Sequence, residues 1–495
     1  MLSISAICPL FVFGVGLAVY LNTLGNDFVY DDIRAIVNNP AICDWRGIPG
    51  LFFQSYWSSS AEAIYRPLTV ISFALNYALF GLTPWSFHLV NVVIHAINST
   101  LVAVLLRRLT GEMTALMAAL LFAVLPIHTE AVASIVGRAE LLAFAFSILF
   151  WLTHSKGRKI WAAFSLAMAL FSKENALVIL PLVFLWEHLP LEKARMRSHY
   201  AWLIYAGVAF AWLLLRRLVL GQWGLDLEFQ YFGTTDSLTR VLTMSVFAWR
   251  HYVWPMVTGT GLCADFSPWS FPFVDAGDVW GWLSLSVWIT VLGFSIWLLF
   301  SWKTAGRKSL LRQWSGYWIL WFLIGLAPVT NVFMPIGTIG AERFLYLPSL
   351  GFCVILAWAI SIVFKPSPPR GEGRVRGALK LGILVFYYGA LIVQRNTVWK
   401  NHRTLFEDTV KKAPNNSLAH SMLGIALAKN GEYGRAIEHF QRALEINPTS
   451  EAVYQNLANA YRQSGDSAMA VRALTQWMTR FPNNPAPREL LKSLH

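Results

Sequence analysis

Two adjacent carboxylates, Asp31 and Asp32, close the string Asn26-Asp27-Phe28-Val29-Tyr30-Asp31-Asp32. Acids this close can raise one another's pKa toward the range of a general base, or can ligate a divalent cation such as Mg or Mn. Their complement is a set of cations: Arg66, Arg138, Lys173 and Arg343. Arginine forks match phosphate oxygens in geometry and charge, and cations beside a departing phosphate stabilise the charge that develops on it. An acidic pair facing several cations therefore reads as a site that holds an anionic head group, with the pair serving as a general base or as a cation ligand. Supporting residues are His128, Glu130, Glu174, Asp265, Glu342 and Tyr346, each in a polar string beside one of the cations or in a later loop. A competing reading gives Glu130, Glu140 and Glu174 a structural task, neutralising Arg138 and Lys173 in a buried network. His88, His95 and His128 carry the same alternative, because two of them lie inside apolar stretches where a packed histidine is common.

These residues have to be positioned by apolar helices. Of 495 residues, 56% are hydrophobic and only 14% charged, against about a quarter charged in soluble domains. The 23 tryptophans and 33 phenylalanines fit rings gathered at a membrane–water boundary. Apolar runs predict about eleven spans, near 3–22, 86–106, 113–127, 139–153, 159–171, 175–188, 200–218, 280–301, 315–331, 346–364 and 378–394. The first lacks a basic start and a small-residue cleavage site and reads as a retained helix. Pro67–Phe80 and Leu238–Met256 carry polar residues beside motif-rich loops and read as interfacial or re-entrant helices.

Seventeen basic residues crowd five short loops, after the second, fourth, sixth, eighth and tenth spans, including Arg107-Arg108, Lys193/Arg195/Arg197 and Lys365/Arg370. Ten are spread through the far longer loops of the other side. The crowded side reads as cytoplasmic. An odd span count then puts the acidic pair, the cations and the C-terminus together on the outer face. The net charge of +13 is absorbed by this asymmetry, so nucleic acid is not indicated as a partner; membrane lipid is. Cys8, Cys43, Cys263 and Cys353 match no metal spacing. Cys8 and Cys353 fall inside apolar segments and read as packing residues, while Cys43 and Cys263 both fall in outer loops, where a disulfide is the alternative to the two free thiols expected.

After residue 394 the pattern changes. Gly424, Ala436, Phe440, Ala443 and Pro448 are followed 34 residues later by Ala458, Ala470, Leu474, Trp477 and Pro482. Small residues recur where two helices touch, a large one fills between them, and proline ends the pair: the tetratricopeptide repeat. Phe406 and Pro414 add a partial repeat. The expected division is a transmembrane domain over 1–394 and a repeat domain over 395–495, all-α throughout. Such short curved platforms usually bind peptide, so a peptide or protein partner is expected for the tail; the competing reading is that it only caps or stabilises the membrane domain.

The strings FVYDD, VNNP, YRPLT, FHLVNVVIHA, PIHTEAVASIVGRAELLA, FSKENA, LCADFS and AERFLYLPSLGF resemble the transmembrane and tetratricopeptide-repeat O-mannosyltransferase-like family, from about residue 20 onward. That resemblance implies a GT-C-class glycosyltransferase with a polyprenyl-phosphate-sugar donor and a catalytic acid in the first outer loop. It assigns the base to Asp32 with Asp31 in support, both serving any metal, and the donor phosphate to Arg138, Arg343, Lys173 and Arg66. It implies transfer of a sugar, mannose by analogy, to Ser or Thr hydroxyls of a protein. The tail is shorter than those associated with the family, which fits a bacterial or archaeal cell membrane, or a lumenal site if eukaryotic. Two rivals stand beside it: an enzyme of the same class acting on a lipid or polysaccharide, and a non-enzymatic scaffold built on the repeats.

Overall fold

The computed structural model describes residues 4–56, 64–189, 199–221, 232, 235–266, 270–300, 307–333, 335–363 and 372–492. The basic stretch 190–198, with Lys193, Arg195 and Arg197, lies outside the described residues, as do 301–306 and 364–371 with Lys303, Lys365 and Arg370. Among the described residues twenty-one α-helices run in order: α1 Ile4–Ala18, α2 Pro67–Phe80, α3 Pro84–Leu109, α4 Glu112–Ala123, α5 Thr129–Ala133, α6 Arg138–His154, α7 Lys159–Ser172, α8 Ile179–His188, α9 His199–Leu220, α10 Ser237–Ala248, α11 Trp254–Thr258, α12 Val279–Phe300, α13 Arg307–Leu326, α14 Ser349–Val363, α15 Glu372–Val398, α16 His402–Lys412, α17 Ser417–Lys429, α18 Tyr433–Ile446, α19 Glu451–Gln463, α20 Ser467–Arg480 and α21 Ala486–Lys492. Among the described residues there is no strand.

The chain divides into two compact units: Met1–Leu262 with Phe273–Thr397, and Cys263–Pro272 with Val398–His495. In the first, six segments among the described residues are long and apolar enough to cross a membrane: Cys8–Gly25, Pro84–Leu109, Ile135–His154, His199–Leu220, Val279–Phe300 and Lys380–Val398. A seventh is added if Glu112–Ala123 and Pro126–Ala133, bent by 49°, form one span. Each of the other expected spans is helical, but shorter or more polar. α7 and α14 are short apolar helices, α8 has ten residues, and α13 opens on Arg307, Lys308 and Arg312. A ten-to-fifteen-residue apolar run marks a helix buried in protein as readily as a span, so the count of eleven is not confirmed; six or seven segments among the described residues meet the length and composition of a span. The segment Leu238–Met256 forms α10, a wide turn over Trp249–Val253 and α11.

Local chemistry sets the ends that matter. Proline begins both α2 and α3, where its missing N–H costs nothing. Arg107 and Arg108 sit in the last turn of α3, complementing its dipole. The loop preceding α2 is packed rather than loose: Ala35, Ile36, Ile42, Leu51 and Tyr56 form one buried cluster with Val70, Phe73, Phe87 and Ile135. Gly137 closes the turn between α5 and α6, where a Cβ would lie 2.3 Å from the Ala131 carbonyl oxygen. No side chain fits against a backbone atom at that range.

In the second unit, α17 to α20 are the helix pairs that the 34-residue period predicts. A Cβ on Gly424 would meet the Phe440 ring at 2.6 Å, which explains the small residue at that register. Asn416 caps α17 through the Ala419 N–H at 2.8 Å, and the Trp477 ring N–H donates to Glu451 at 2.9 Å.

Candidate active site

Three short segments of the first unit bring the sequence-predicted residues together: the turn before residue 33, the α5–α6 turn, and the bend Glu342–Leu345. Asp32 is wholly buried. Its Oδ2 accepts the Val29 N–H at 3.1 Å and its Oδ1 the Val136 N–H at 2.9 Å. Both oxygens are thus spent on tying the acidic turn to the α5–α6 turn. Burial, with the Asp31 charge adding to it, pushes the Asp32 carboxyl up to about 7 against the pull of those amides. Asp31 is different: its side chain is 25% exposed and its Oδ2 lies 3.8 Å from Arg343 Nη2. Tyr30, just before it, has φ +53°, a costly conformation for a bulky residue that persists only where surrounding contacts impose it.

Arg343 is the best-placed cation. Glu130, fully buried, accepts its backbone N–H at 2.9 Å and also its guanidinium. Burial disfavours the Arg343 charge, but the Glu130 and Asp31 carboxylates outweigh it and hold the guanidinium above its ordinary pKa. The other expected phosphate ligands are occupied. Arg66 forks onto Glu174, with Nε to Oε2 at 2.9 Å and a second short contact. That fork overcomes burial and holds the Glu174 carboxyl down at about 2. Lys173 is buried and paired with Glu140, its ammonium 5.0 Å from the Phe344 ring.

Arg138 is wholly enclosed. It donates to Asn91 Oδ1 (2.8 Å), the Ser72 carbonyl (3.2 Å), Asn76 Oδ1 (3.0 Å) and the Phe87 carbonyl (2.9 Å), and lies against the Phe73 and Phe87 rings. It fastens α2 and α3 to α6 and presents no surface to a ligand, because each nitrogen already has a protein acceptor.

The remaining supporting residues separate into groups. His128 bridges the Phe122 carbonyl and Ser349 Oγ at 3.0 and 2.8 Å. The Tyr346 hydroxyl meets His95 Nδ1 at 2.8 Å and Asn98 at 3.2 Å. Both are core polar contacts within the helices. Glu342 is buried 3.9 Å from Arg395. Asp265, expected as a supporting residue in a later outer loop, belongs to the second unit, where its carboxylate accepts from Asn416 at 2.8 Å. Asp31 and Asp32 do not make a cation site, since Asp32 spends both oxygens on amides and Asp31 faces an arginine. Among the described residues, no group of three His, Cys, Asp or Glu side chains is arranged to hold a metal ion. All four cysteines are free thiols.

Two residues escape a reading of the sequence. Tyr56 is buried 5.6 Å below the Arg66 guanidinium, in the field of Asp31, Asp32 and Arg343; burial raises its hydroxyl above the ordinary tyrosine value. Phe344 lies between Lys173 and Arg343, at 5.0 and 5.8 Å. A tyrosine in an aromatic-rich loop gives no signal of this kind. Phe344 carries one, since its two chain neighbours are Arg343 and an apolar helix approach.

The chain matches the family described as dolichyl-phosphate-mannose-protein mannosyltransferase over residues 67–215, and tetratricopeptide-repeat families over 405–438 and 427–494. It is 30% identical to the Caenorhabditis elegans protein O-mannosyl-transferase F38B6.6, over 89% of this chain and 63% of that one. It is 28% identical to human protein O-mannosyl-transferase TMTC4, over 87% and 65%. Human TMTC3 is 26% identical over 91% and 52%, so the chain spans about half to two thirds of the relatives' length. Among solved structures, ArnT from Cupriavidus metallidurans bound to undecaprenyl phosphate aligns with 94% of this chain and 79% of its own, at 14% identity and a TM-score of 0.42.

Proposed function

We propose, from the premise that the chain is a relative of the transmembrane and tetratricopeptide-repeat O-mannosyltransferases, that it is itself a polyprenyl-phosphate-sugar glycosyltransferase of the inverting GT-C kind. It transfers a sugar, mannose by kinship, to a Ser or Thr hydroxyl of a protein on the outer face of the membrane. The repeat unit presents the acceptor chain. The observation that carries the reading is the Asp31–Arg343 pair: a part-exposed carboxylate and a part-exposed guanidinium in loose contact, the guanidinium held from behind by buried Glu130.

In this reading the roles of the two acids exchange. A general base must come within hydrogen-bond reach of the proton it takes. Asp31 has exposed surface, and Asp32 has both oxygens on backbone amides. Asp31 is therefore the base and Asp32 its positioning residue. Arg343, anchored by Glu130, turns from Asp31 to the donor phosphate when the lipid enters. The exchange frees the Asp31 carboxylate for the acceptor hydroxyl and puts the cation where charge develops on the leaving phosphate. Arg66 stays forked onto Glu174, 15% exposed, and adds its charge to the field of the site; Lys173 and Arg138 hold the walls. The acceptor oxygen forms its bond to the anomeric carbon as the phosphate oxygen leaves, and Asp31 takes the hydroxyl proton.

The test is transfer by purified full-length protein from polyprenyl phosphate mannose to a Ser/Thr peptide. Asp31→Asn is expected to lose about 10²- to 10⁴-fold in kcat, the usual worth of a positioned base. Undiminished transfer by that variant refutes the assignment.

A further inference from the structure

The two members of the Asp31–Arg343 pair come from segments more than 300 residues apart in the chain, and one helical turn reaches both. It is the last turn of α15. Asn22 donates to the Val393 carbonyl at 2.9 Å, and Asn26 to the Asn396 carbonyl at 3.1 Å. In return, Asn396 Nδ2 donates to the Val19 carbonyl at 3.0 Å and to Asn22 Oδ1 at 2.6 Å. Asn26 and Asn396 are buried. These four bonds clamp the end of α1 and the turn that leads, through the left-handed Tyr30, to Asp31. One residue earlier on α15, buried Arg395 reaches the other partner's segment, with Nη2 3.9 Å from the buried carboxylate of Glu342, the chain neighbour of Arg343.

We infer that the terminal turn of α15 is the positioning element of the site, with Asn396 fixing the Asp31 turn and Arg395 fixing the Arg343 bend. The inference rests on the transferase reading for its effect on catalysis, but its geometric content stands apart from it. The Tyr30 conformation is part of the argument. A non-glycine residue at φ +53° reverts to a commoner conformation unless neighbouring contacts over-determine it, and the Asn26–Asn396 bond sits four residues away on the same turn. The helix that carries this clamp continues through Thr397 into the repeat unit at Val398. A cut before residue 395 thus removes the clamp along with the repeats, and loss of activity in such a truncation says nothing about acceptor binding.

The experiment compares full-length Asn396→Ala, Arg395→Met, Arg395→Lys and, as control, Gln394→Ala, an exposed neighbour in the same turn. Two readouts are taken: steady-state transfer, and amide hydrogen exchange over residues 26–37 and 341–346. Asn396→Ala is expected to lower kcat at least tenfold with the donor KM within twofold, and to speed exchange in 26–37. Arg395→Met is expected to act the same way on 341–346, Arg395→Lys to recover most of the rate, and Gln394→Ala to match the parent. Exchange unchanged in both segments overturns the inference, whatever the rates do. Changed exchange with unchanged kcat overturns the catalytic half of it. If the parent itself transfers to no acceptor while exchange responds as expected, the clamp is upheld and the transferase reading fails.

Discussion

The two units use ion pairs in opposite ways. In the membrane unit the pairs around the site join residues far apart in sequence: Arg66 with Glu174 across 108 positions, Lys173 with Glu140 across 33, Arg343 with Glu130 across 213. Most of their partners are buried. In the repeat unit the pairs are mostly one turn apart, Arg403–Glu407, Lys412–Asp408, Arg435–Glu432 and Arg442–Glu445, and lie at the surface. A buried pair is no net source of stability, because desolvation cancels most of the attraction, yet removing one partner strands a charge. A surface pair is worth little either way. The membrane unit therefore uses charge to fix which loops meet around the Asp31–Arg343 pair, and the repeat unit uses it to dress helices that packing already holds.

The largest expected effect tests that claim. Lys173→Met keeps an unbranched apolar side chain of similar reach but leaves Glu140 buried without its cation, at a cost of about 3–5 kcal/mol. Unfolding in detergent micelles measures it. The double variant Lys173→Met with Glu140→Gln is expected to recover most of the loss, since no charge is then stranded. A single variant within 1 kcal/mol of the parent would erase the contrast between the units.

The second effect is a pH slope. Asp32 has its folded pKa raised to about 7 from an ordinary 3.8. Between those values the folded chain holds a proton there and the unfolded chain does not, so stability declines as pH rises through the window and levels off above about 7. At about 1.4 kcal/mol per unit, the ceiling is about 4 kcal/mol. Glu174 works in the other sense: held down at about 2 by Arg66, its contribution is present above the ordinary glutamate value and lost only as pH falls toward 2. Stability measured from pH 4 to 8 is expected to fall more steeply in the parent than in Asp32→Asn, where the titrating group is gone. Equal slopes would mean that Asp32 is charged throughout.

The same contrast explains what the sequence could say. The repeats announce themselves because their information is local: a 34-residue period in residue size maps directly onto the Gly424–Phe440 contact. In the membrane unit the site residues are visible one at a time, since an acid or arginine beside an apolar run is costly and conspicuous. Their partners are not visible, because nothing in the chain says that Lys173 takes Glu140 and leaves Glu174 to Arg66. Arg138 shows the consequence. It reads as a phosphate ligand until Asn76 and Asn91, single polar residues on two other helices, are seen to receive it. Asp32 and Asp31 are likewise equivalent as letters, and only the amides of Val29 and Val136 tell them apart. The span count of eleven is not confirmed for a related reason: hydropathy does not distinguish lipid from a protein neighbour as the solvent of an apolar helix. Arg395 and Asn396 were passed over because they follow the last apolar run, where polar residues are expected.

The smallest effect belongs to the repeat unit. Lys412 pairs with Asp408 one turn back at 2.8 Å, with 35% and 21% of the two side chains exposed. It also lies in the last turn of α16, where a cation meets the negative end of the helix. Lys412→Ala gives up a helix-surface pair worth about 0.3–0.5 kcal/mol and a dipole contact worth about 0.3–1 kcal/mol. Alanine returns part of this through its higher helix propensity. A net loss of about 0.5 kcal/mol is expected in the opening free energy of the α16 amides, read by hydrogen exchange in the intact protein, and raised salt should shrink the difference further. The exchange of α6 and α7, which carry Glu140 and Lys173 at or next to their ends, should not change. A loss above about 2 kcal/mol at Lys412 would mean that the repeat unit, too, depends on its charges for its fold.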